Sequence, residues 1–428
     1  QDNAMRLTNA VTFLKLLLCP ITHSSFLIRF VSRAALSFGF CWGSPIWANV
    51  DYDFSNAGAT GRLGPTQTQV NSAYSGSNLA GNVTINAQGI QEWTVPVTGE
   101  YRIEAKGAKG GGGTAAGLGA QIAGSFSLTQ GSLLKIVVGQ AGGLAGNNNT
   151  TSGGGGSFVI KSPYNSNSSI LIIAGGGGGS PGNSDYQSGG HDDGQTGNSG
   201  SRGYGVWTHS AGGTGGNGAP SSDRAAGGGG FLTNGAANGQ SASYGTGGKA
   251  FVNGAAGGED LYTGSGGGAH GGFGGGGSGM VSGYRGSGGG GGYSGGGTGS
   301  HQSNGSNHQG GGGGSFNSGT DQSNTAGVNS GHGTVTISLL QNSPSPPQIT
   351  QGAGPLNRTL AEDSATTWTA TDLNATDPDS NVSNLSWSLL SPPSSGSAVV
   401  DGNGSSPLTF SYTPNSNFHG SDSLTVLV

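Results

Sequence analysis

Residues 175–333 of this chain are about 40% glycine, several times average usage, and the runs at 175–179, 227–230, 288–292 and 310–314 contain nothing else. Glycine buries no side chain and loses more backbone freedom on folding than any other residue. Such a tract is therefore either a flexible linker or a structure held by its own backbone hydrogen bonds. Hydrophobic stretches that read as ordinary strands lie on both sides of it, so the tract reads as an insert.

The rest of the composition narrows the class. The chain has 428 residues, room for two or three domains, yet only 31% are hydrophobic and 8% charged. A net charge of −5, with 15 basic residues and no Lys/Arg run, excludes nucleic acid and anionic membrane surfaces as expected partners. Low charge also argues against the Glu-, Lys- and Pro-rich kind of disorder.

The N-terminal segment has apolar stretches at 11–19 and 26–47, with Arg29 and Arg33 ahead of the run that ends at Trp42. Its exit, Gly43-Ser44-Pro45-Ile46-Trp47-Ala48, passes from polar to small residues. This resembles a secretory signal peptide cleaved after Ala48, so residues 1–48 are expected to be a leader. Its apolar runs fall short of the ~20 residues a membrane span needs, and no membrane insertion is expected after removal. Both cysteines, Cys19 and Cys41, lie in this leader, so a chain starting at residue 49 has neither disulfide nor thiolate metal site.

Beyond the leader, Gln91-Glu92-Trp93-Thr94-Val95-Pro96 precedes a turn at 97–100, and Tyr101-Arg102-Ile103-Glu104-Ala105 alternates with period two. Ile122, Gly124, Phe126 and Leu128 alternate likewise, as do Leu134, Ile136 and Val138. Phe158-Val159-Ile160 and the continuous Ile170-Leu171-Ile172-Ile173, which suits a central strand, follow before the tract, and Thr334-Val335-Thr336-Ile337-Ser338-Leu339 after it. Short strands without a convincing amphipathic helix predict an all-β fold, an antiparallel sandwich or jelly roll.

Five ordered segments carry a resemblance. They are Gly64-Pro65-Thr66-Gln67-Thr68-Gln69; residues 89–103 running into Gly107-Ala108-Lys109-Gly110-Gly111; Leu171-Ile172-Ile173-Ala174 leading into 175–179; 289–292 with Tyr293, Gly295 and Gly296; and Gly331-His332-Gly333-Thr334-Val335-Thr336-Ile337. Together they resemble the glycine-rich region of the anaplastic lymphoma kinase and leukocyte tyrosine kinase receptors and its bacterial secreted relatives, over residues 51–340. The resemblance implies a tumour-necrosis-factor-like jelly roll over 49–340 with a bundle of polyglycine II helices inserted at about 175–333. In the receptors the similar region takes part in binding a small helical cytokine, but no ligand-contact residue and no kinase portion carries over.

The implied bundle is physically reasonable. A helix of this type, like polyproline II, has three residues per turn and ~3.1 Å rise without internal hydrogen bonds, so its N–H and C=O groups point to neighbours. Ordering a residue costs about 1–2 kcal/mol and a hydrogen bond returns a net ~0.5–1.5 kcal/mol, so the bundle is near break-even and needs the jelly roll as a clamp. Tyr204, Trp207, Phe231, Tyr244, Phe251, Tyr262, Phe273, Tyr284 and Tyr293 are spaced to cover its faces or to form a ligand surface. Collagen is excluded, because glycine does not recur strictly every third residue. The G-x-G-x-x-G spacing at Gly272, Gly274 and Gly277 is expected by chance here.

A Pro-rich linker at 341–350 leads to a second domain at 351–428, with strands expected around Trp368, at 385–389, 398–400, 408–412 and 423–427. It resembles a bacterial cadherin-like or immunoglobulin-like repeat through Glu362-Asp363, Asp377-Pro378-Asp379, Tyr412-Thr413-Pro414-Asn415 and Phe418-His419-Gly420-Ser421-Asp422. By that resemblance Glu362, Asp363, Asp377 and Asp379 are candidate Ca²⁺ ligands, oxygen donors of the kind a hard cation takes; the alternative is that 377–379 is a loop turn. The chain stops at Val428 in what reads as a final strand, which sets the expectation of a truncated repeat from a longer protein.

No G-x-S-x-G elbow, H-E-x-x-H helix or cysteine nucleophile appears, and His191-Asp192-Asp193 reads as a solvated loop, so no catalytic residue is expected. The expectation is a secreted or cell-surface, non-enzymatic, adhesin-like module, with the glycine-rich jelly roll presenting a surface and the C-terminal repeat as stalk. Its partners would be a protein or glycan ligand and copies of itself. The alternatives are an accessory region of a larger secreted hydrolase and a self-assembling extracellular layer protein.

Overall fold

The computed structural model describes residues 50–145, 150–181, 192–206, 208–222, 224–262, 268–281, 285–301, 308–342, 347–352, 356–357, 359–361, 365–367, 373–377 and 385–428. Its contacts divide into two compact units, with the boundary between Pro344 and Ser345. The fold is all-β apart from short helical pieces.

In the first unit, the sandwich strands are β1 (Val50–Phe54), β2 (Val83–Ala87), β3 (Ile90–Thr94), β4 (Gly99–Lys106), β5 (Gly119–Leu128), β6 (Leu133–Val137), β7 (Ser157–Lys161), β8 (Ile170–Ala174), β9 (Phe316–Asn317), β10 (Thr320–Asn329) and β11 (Thr334–Asn342). They make two antiparallel sheets, one five-stranded in the order β1-β11-β4-β5-β10 and one six-stranded in the order β9-β8-β7-β6-β3-β2. Period-two patterning fixes the register: β4 pairs with β5 from Gly99 opposite Leu128 to Lys106 opposite Gln121.

One core lies between the sheets. Tyr101, Ile103 and Ala105 of β4 and Val335 and Ile337 of β11 share it with Trp93, Leu134, Ile136, Val159 and Ile172 of the six-stranded sheet. A second core covers that sheet's other face. There Ile90, Val137, Phe158, Ile160, Ile170 and Ile173 meet Phe231, Phe251, Phe273 and Tyr293 of the glycine tract. Burial on both faces accounts for the continuous apolar run of β8, as in any sheet covered on two sides. The tract thus contributes few large side chains to this core, and Phe231, Phe251, Phe273 and Tyr293 anchor it to the sheet.

A helix, α1 (Gln67–Ala73), follows the Gly64-Pro65-Thr66 segment, where no amphipathic pattern predicts one. Its start is set by a capping box: Thr66 N–H donates to Gln69 Oε1 at 2.9 Å, and Gln69 N–H donates to Thr66 Oγ1 at 3.4 Å. Val70 is buried beneath it, and Tyr74 at its end donates its hydroxyl to the fully buried Gln91 Oε1 at 2.6 Å.

The glycine runs are joined by backbone hydrogen bonds in a pattern unlike a sheet ladder. Successive N–H groups of Gly153, Gly154, Gly155 and Gly156 donate to the carbonyls of Gly277, Gly177, Gln140 and Gly274. Residues three apart therefore return to the same neighbour, and those between address others. The recurrence holds elsewhere: Gly176 and Gly179 donate to Gly291 and Gly288, Gly310 and Gly313 to Gly179 and Gly176, and Gly311 and Gly314 to Gly297 and Ser294. In a strand, by contrast, residues two apart are equivalent. Such close approach admits no side chain: a Cβ on Gly289 would overlap the carbonyl oxygen of Gly296, and one on Gly153 that of Gly289.

The expected insert limits require correction. Strands β9 and β10 lie within 175–333 but belong to the two sheets, β10 pairing with β5 and β9 with β8. Conversely, Gly110, Gly111 and residues 139–143 and 151–156, outside the expected insert, join the glycine network.

The second unit holds β12 (Thr366–Thr367), β13 (Ser386–Ser391), β14 (Gly396–Asn403), β15 (Thr409–Pro414) and β16 (Thr425–Leu427), ordered β12-β15-β14-β13-β16, and a short pair of Gln348–Ile349 with Ala375–Thr376. Its core gathers around Trp387, with Leu373, Ala375, Val400, Phe410, Leu424 and Val426. The Trp387 indole N–H reaches the carbonyl of Gly404 at 2.9 Å, so the buried ring leaves no polar atom unpaired.

Candidate functional site

Of the four candidate Ca²⁺ ligands, Glu362, Asp363 and Asp379 lie outside the described residues. Asp377 is half-buried, immediately after the short strand Ala375–Thr376. Among the described residues no group of three or more His, Cys, Asp or Glu side chains is placed to hold a metal ion.

The carried pattern ending in Asp422 has a structural explanation. Asp422 Oδ1 accepts from the N–H groups of Ser394 and Ser423 at 2.9 Å each and from Ser394 Oγ at 3.0 Å. Its Oδ2 accepts from Ser395 N–H at 2.8 Å and from the Tyr412 hydroxyl at 3.1 Å. Hydrogen bonds from these backbone and serine donors hold its pKa below the ordinary value against the opposing effect of burial. With both oxygens so occupied, Asp422 is a knot tying the 394–395 turn to β15 and to the entry of β16. A cleft of about 530 Å³ beside it is lined by Leu356, Leu360, Phe418, His419 and Leu424 among others.

In the first unit, His191 lies outside the described residues, and the solvated-loop reading fails for its neighbour. Asp192 is only 1% exposed. Its carbonyl accepts the N–H of Gly178 at 2.6 Å, which draws it into the glycine network. Its Oδ1 is buried without a hydrogen-bond partner among the described residues. Burial first, and the adjacent Asp193 second, push its pKa up to about 6. Asp193 Oδ1 instead accepts the N–H of Leu118 at 2.7 Å. Flanking glycines gave no hydrophobic signal by which this burial could be anticipated.

Gly272, Gly274 and Gly277 donate to Gly153, Ala255 and Gly289, so the G-x-G-x-x-G spacing serves the backbone network. His332 Nδ1 accepts the N–H of Ala141 at 3.0 Å, and burial lowers its pKa. This joins the closing Gly331-His332-Gly333 segment to the loop before Gly142.

The aromatic residues divide. Phe231, Phe251, Phe273 and Tyr293 are buried, with Phe251 stacked between Phe158 and Phe231 at centroid distances of 5.5 and 5.4 Å. Phe273 packs on Gly64 and Gly89, both at positive φ (+70° and +86°), where any side chain would displace the ring. Tyr204 is 40% exposed. Tyr244 and Tyr262 are half-buried and meet edge to face at 5.8 Å. Trp207 and Tyr284 lie outside the described residues.

Comparison with known proteins fits this division into units. A family model described as Bacterial Ig domain matches residues 342–428, which includes the whole second sheet system built on Trp387. The leukocyte tyrosine kinase receptor of Mus musculus is 41% identical over 107 residues, which is 23% of this chain and 12% of the receptor. The chain therefore matches a small part of that receptor's length. Among the described residues no helix is long and apolar enough to cross a membrane.

Proposed function

We propose that this chain is a secreted or cell-surface, non-enzymatic, adhesin-like module. The sandwich with its glycine network presents a binding surface, and the bacterial immunoglobulin-like unit carries it as a stalk. The observation that carries the reading is the attachment of the glycine network: backbone bonds hold it together, and Phe231, Phe251, Phe273 and Tyr293 seat it on the outer face of a sheet. A rigid surface of this kind, poor in large side chains, suits presentation of a few exposed groups better than enclosure of a reacting substrate.

Within the proposal, the three-residue hydrogen-bond recurrence supports reading the runs as polyglycine II helices inserted in a jelly roll. Calcium at Glu362, Asp363, Asp377 and Asp379 also belongs to the proposal; an unchanged melting point of the immunoglobulin-like unit after chelation would count against it. The functional test is retention of the purified full chain on immobilised cells, glycans and secreted proteins. Saturable binding is expected. Self-assembly into ordered layers with no binding to any of them would overturn the reading in favour of a layer protein.

A further inference from the structure

The geometry points to Tyr244 and Tyr262 as the core of a binding surface for a neutral saccharide, an inference that rests on the presenting-module reading. The two rings meet edge to face with centroids 5.8 Å apart and planes at 76°. They are half-buried and belong to none of the three hydrophobic cores. The segments that carry them are joined by Leu261 N–H, which donates to the Tyr244 carbonyl at 3.3 Å, and Tyr262 N–H is held locally by Asp260 Oδ1 at 3.1 Å. The fold thus places the rings without needing them for packing. Neither phenolic oxygen has a hydrogen-bond partner among the described residues.

The surroundings specify the ligand. Leu261, next to Tyr262 in the chain, is 42% exposed, and the Ser241 and Ser243 hydroxyls just before Tyr244 lie 2.7 Å apart. Charge is cancelled or consumed: Arg62 pairs with Glu259, and the second Asp260 oxygen accepts the N–H of Gly268 at 2.7 Å. His270 Nδ1 accepts the Asp260 N–H at 3.0 Å. With these neighbouring charges so engaged, the pair is suited to an uncharged ligand rather than to a phosphate, sulfate or carboxylate. A tyrosine offers an apolar ring face with a polar rim, and a neutral sugar offers a C–H face with a hydroxyl rim, so the two match face to face and edge to edge. Tyr, Ser and Gly are also the residues that build rigid, adaptable recognition surfaces at low entropic cost.

The test uses the full chain on an array of immobilised neutral gluco-, xylo-, manno- and N-acetylglucosamine oligomers, with sulfated and sialylated glycans alongside. Binding to a neutral oligomer is expected, weakened roughly tenfold or more by Tyr244→Ala or Tyr262→Ala. The Tyr244→Phe and Tyr262→Phe variants, which keep the rings and the fold, should weaken it by a smaller factor. Unchanged neutral-glycan binding in all four variants would overturn the inference while leaving the module a binder. Binding only to acidic glycans or to a protein would overturn it likewise. No binding to any surface would overturn both readings.

Discussion

The sandwich and the glycine network in the first unit are packed to similar completeness by opposite means. Between the sheets, Trp93, Tyr101, Ile136 and Ile337 fill space with side chains, and each inner strand bonds to the neighbour on either hand. In the network the side chains are gone, and one run such as 153–156 sends successive N–H groups to three different segments. The difference teaches where specificity resides. A side-chain core tolerates exchange of one apolar shape for another of similar volume, whereas a backbone core tolerates no added atom where two chains touch.

The sharpest way to break the comparison is to separate the two. An isolated 175–333 fragment is expected to be wholly disordered, because its bonds are near break-even and its aromatic anchors lose the sheet they pack on. Dispersed, sharp amide NMR signals from that fragment would show that the network stands without the sandwich. Next in size, Phe273→Ala in the intact chain should destabilise the first unit by about 3–5 kcal/mol in denaturant titration, since the ring is fully buried against Gly64 and Gly89. A loss below about 1 kcal/mol would mean that the rings merely decorate the network.

Single methyl groups then compare the two kinds of core directly. Gly289→Ala, which forces a Cβ onto the carbonyl of Gly296, should cost on the order of 1–3 kcal/mol. Gly197→Ala, where a Cβ meets nothing within 4 Å, should be neutral or stabilising by up to about 1 kcal/mol. Ile136→Val in the sandwich should fall between them at about 0.5–1.5 kcal/mol. Equal losses at Gly289 and Gly197 would remove the claim that contact, and not glycine content, sets the tolerance.

The last test concerns charge inside the network. The folded-state pKa of Asp192 is raised from 3.8 to about 6, so the folded chain binds this proton more tightly than the unfolded one. Its contribution to stability is therefore best at low pH, declines as pH rises from about 4 to about 6, and is flat above. Asp192→Asn should remove that penalty, at most on the order of 3 kcal/mol at neutral pH from a shift of about two units. Melting curves of the two proteins should diverge between pH 4 and 6 and stay parallel above it. Parallel curves throughout would show that water reaches the carboxylate.

Much of the sandwich was legible because its strands face one core and so alternate: β4, β5, β6 and β11 stand where the pattern puts them. Strand β10 was not, because none of Thr320–Asn329 is buried and a polar edge strand leaves no period-two hydrophobic trace. Helix α1 was missed although Thr66 and Gln69 carry its capping signal, since one buried residue in seven is too weak an apolar stripe. The limits of the glycine network were illegible for a different reason. Its bonding partners lie far apart in sequence and differ from residue to residue, and glycine offers no side chain to advertise which neighbour each position meets. Asp422 was legible only as part of the motif carried by the resemblance and not as one of the candidate ligands, and its role as a knot depends on Ser394 and Ser395, which carried no signal of their own.

The closeness of the chains at Gly153 and Gly289 has a genetic consequence. Any change in the first two bases of a glycine codon replaces the residue with one that carries a Cβ, or ends the chain. Natural variation should therefore be filtered most severely across the stretch whose sequence looks simplest, and drift should collect instead at its open positions, such as Gly197.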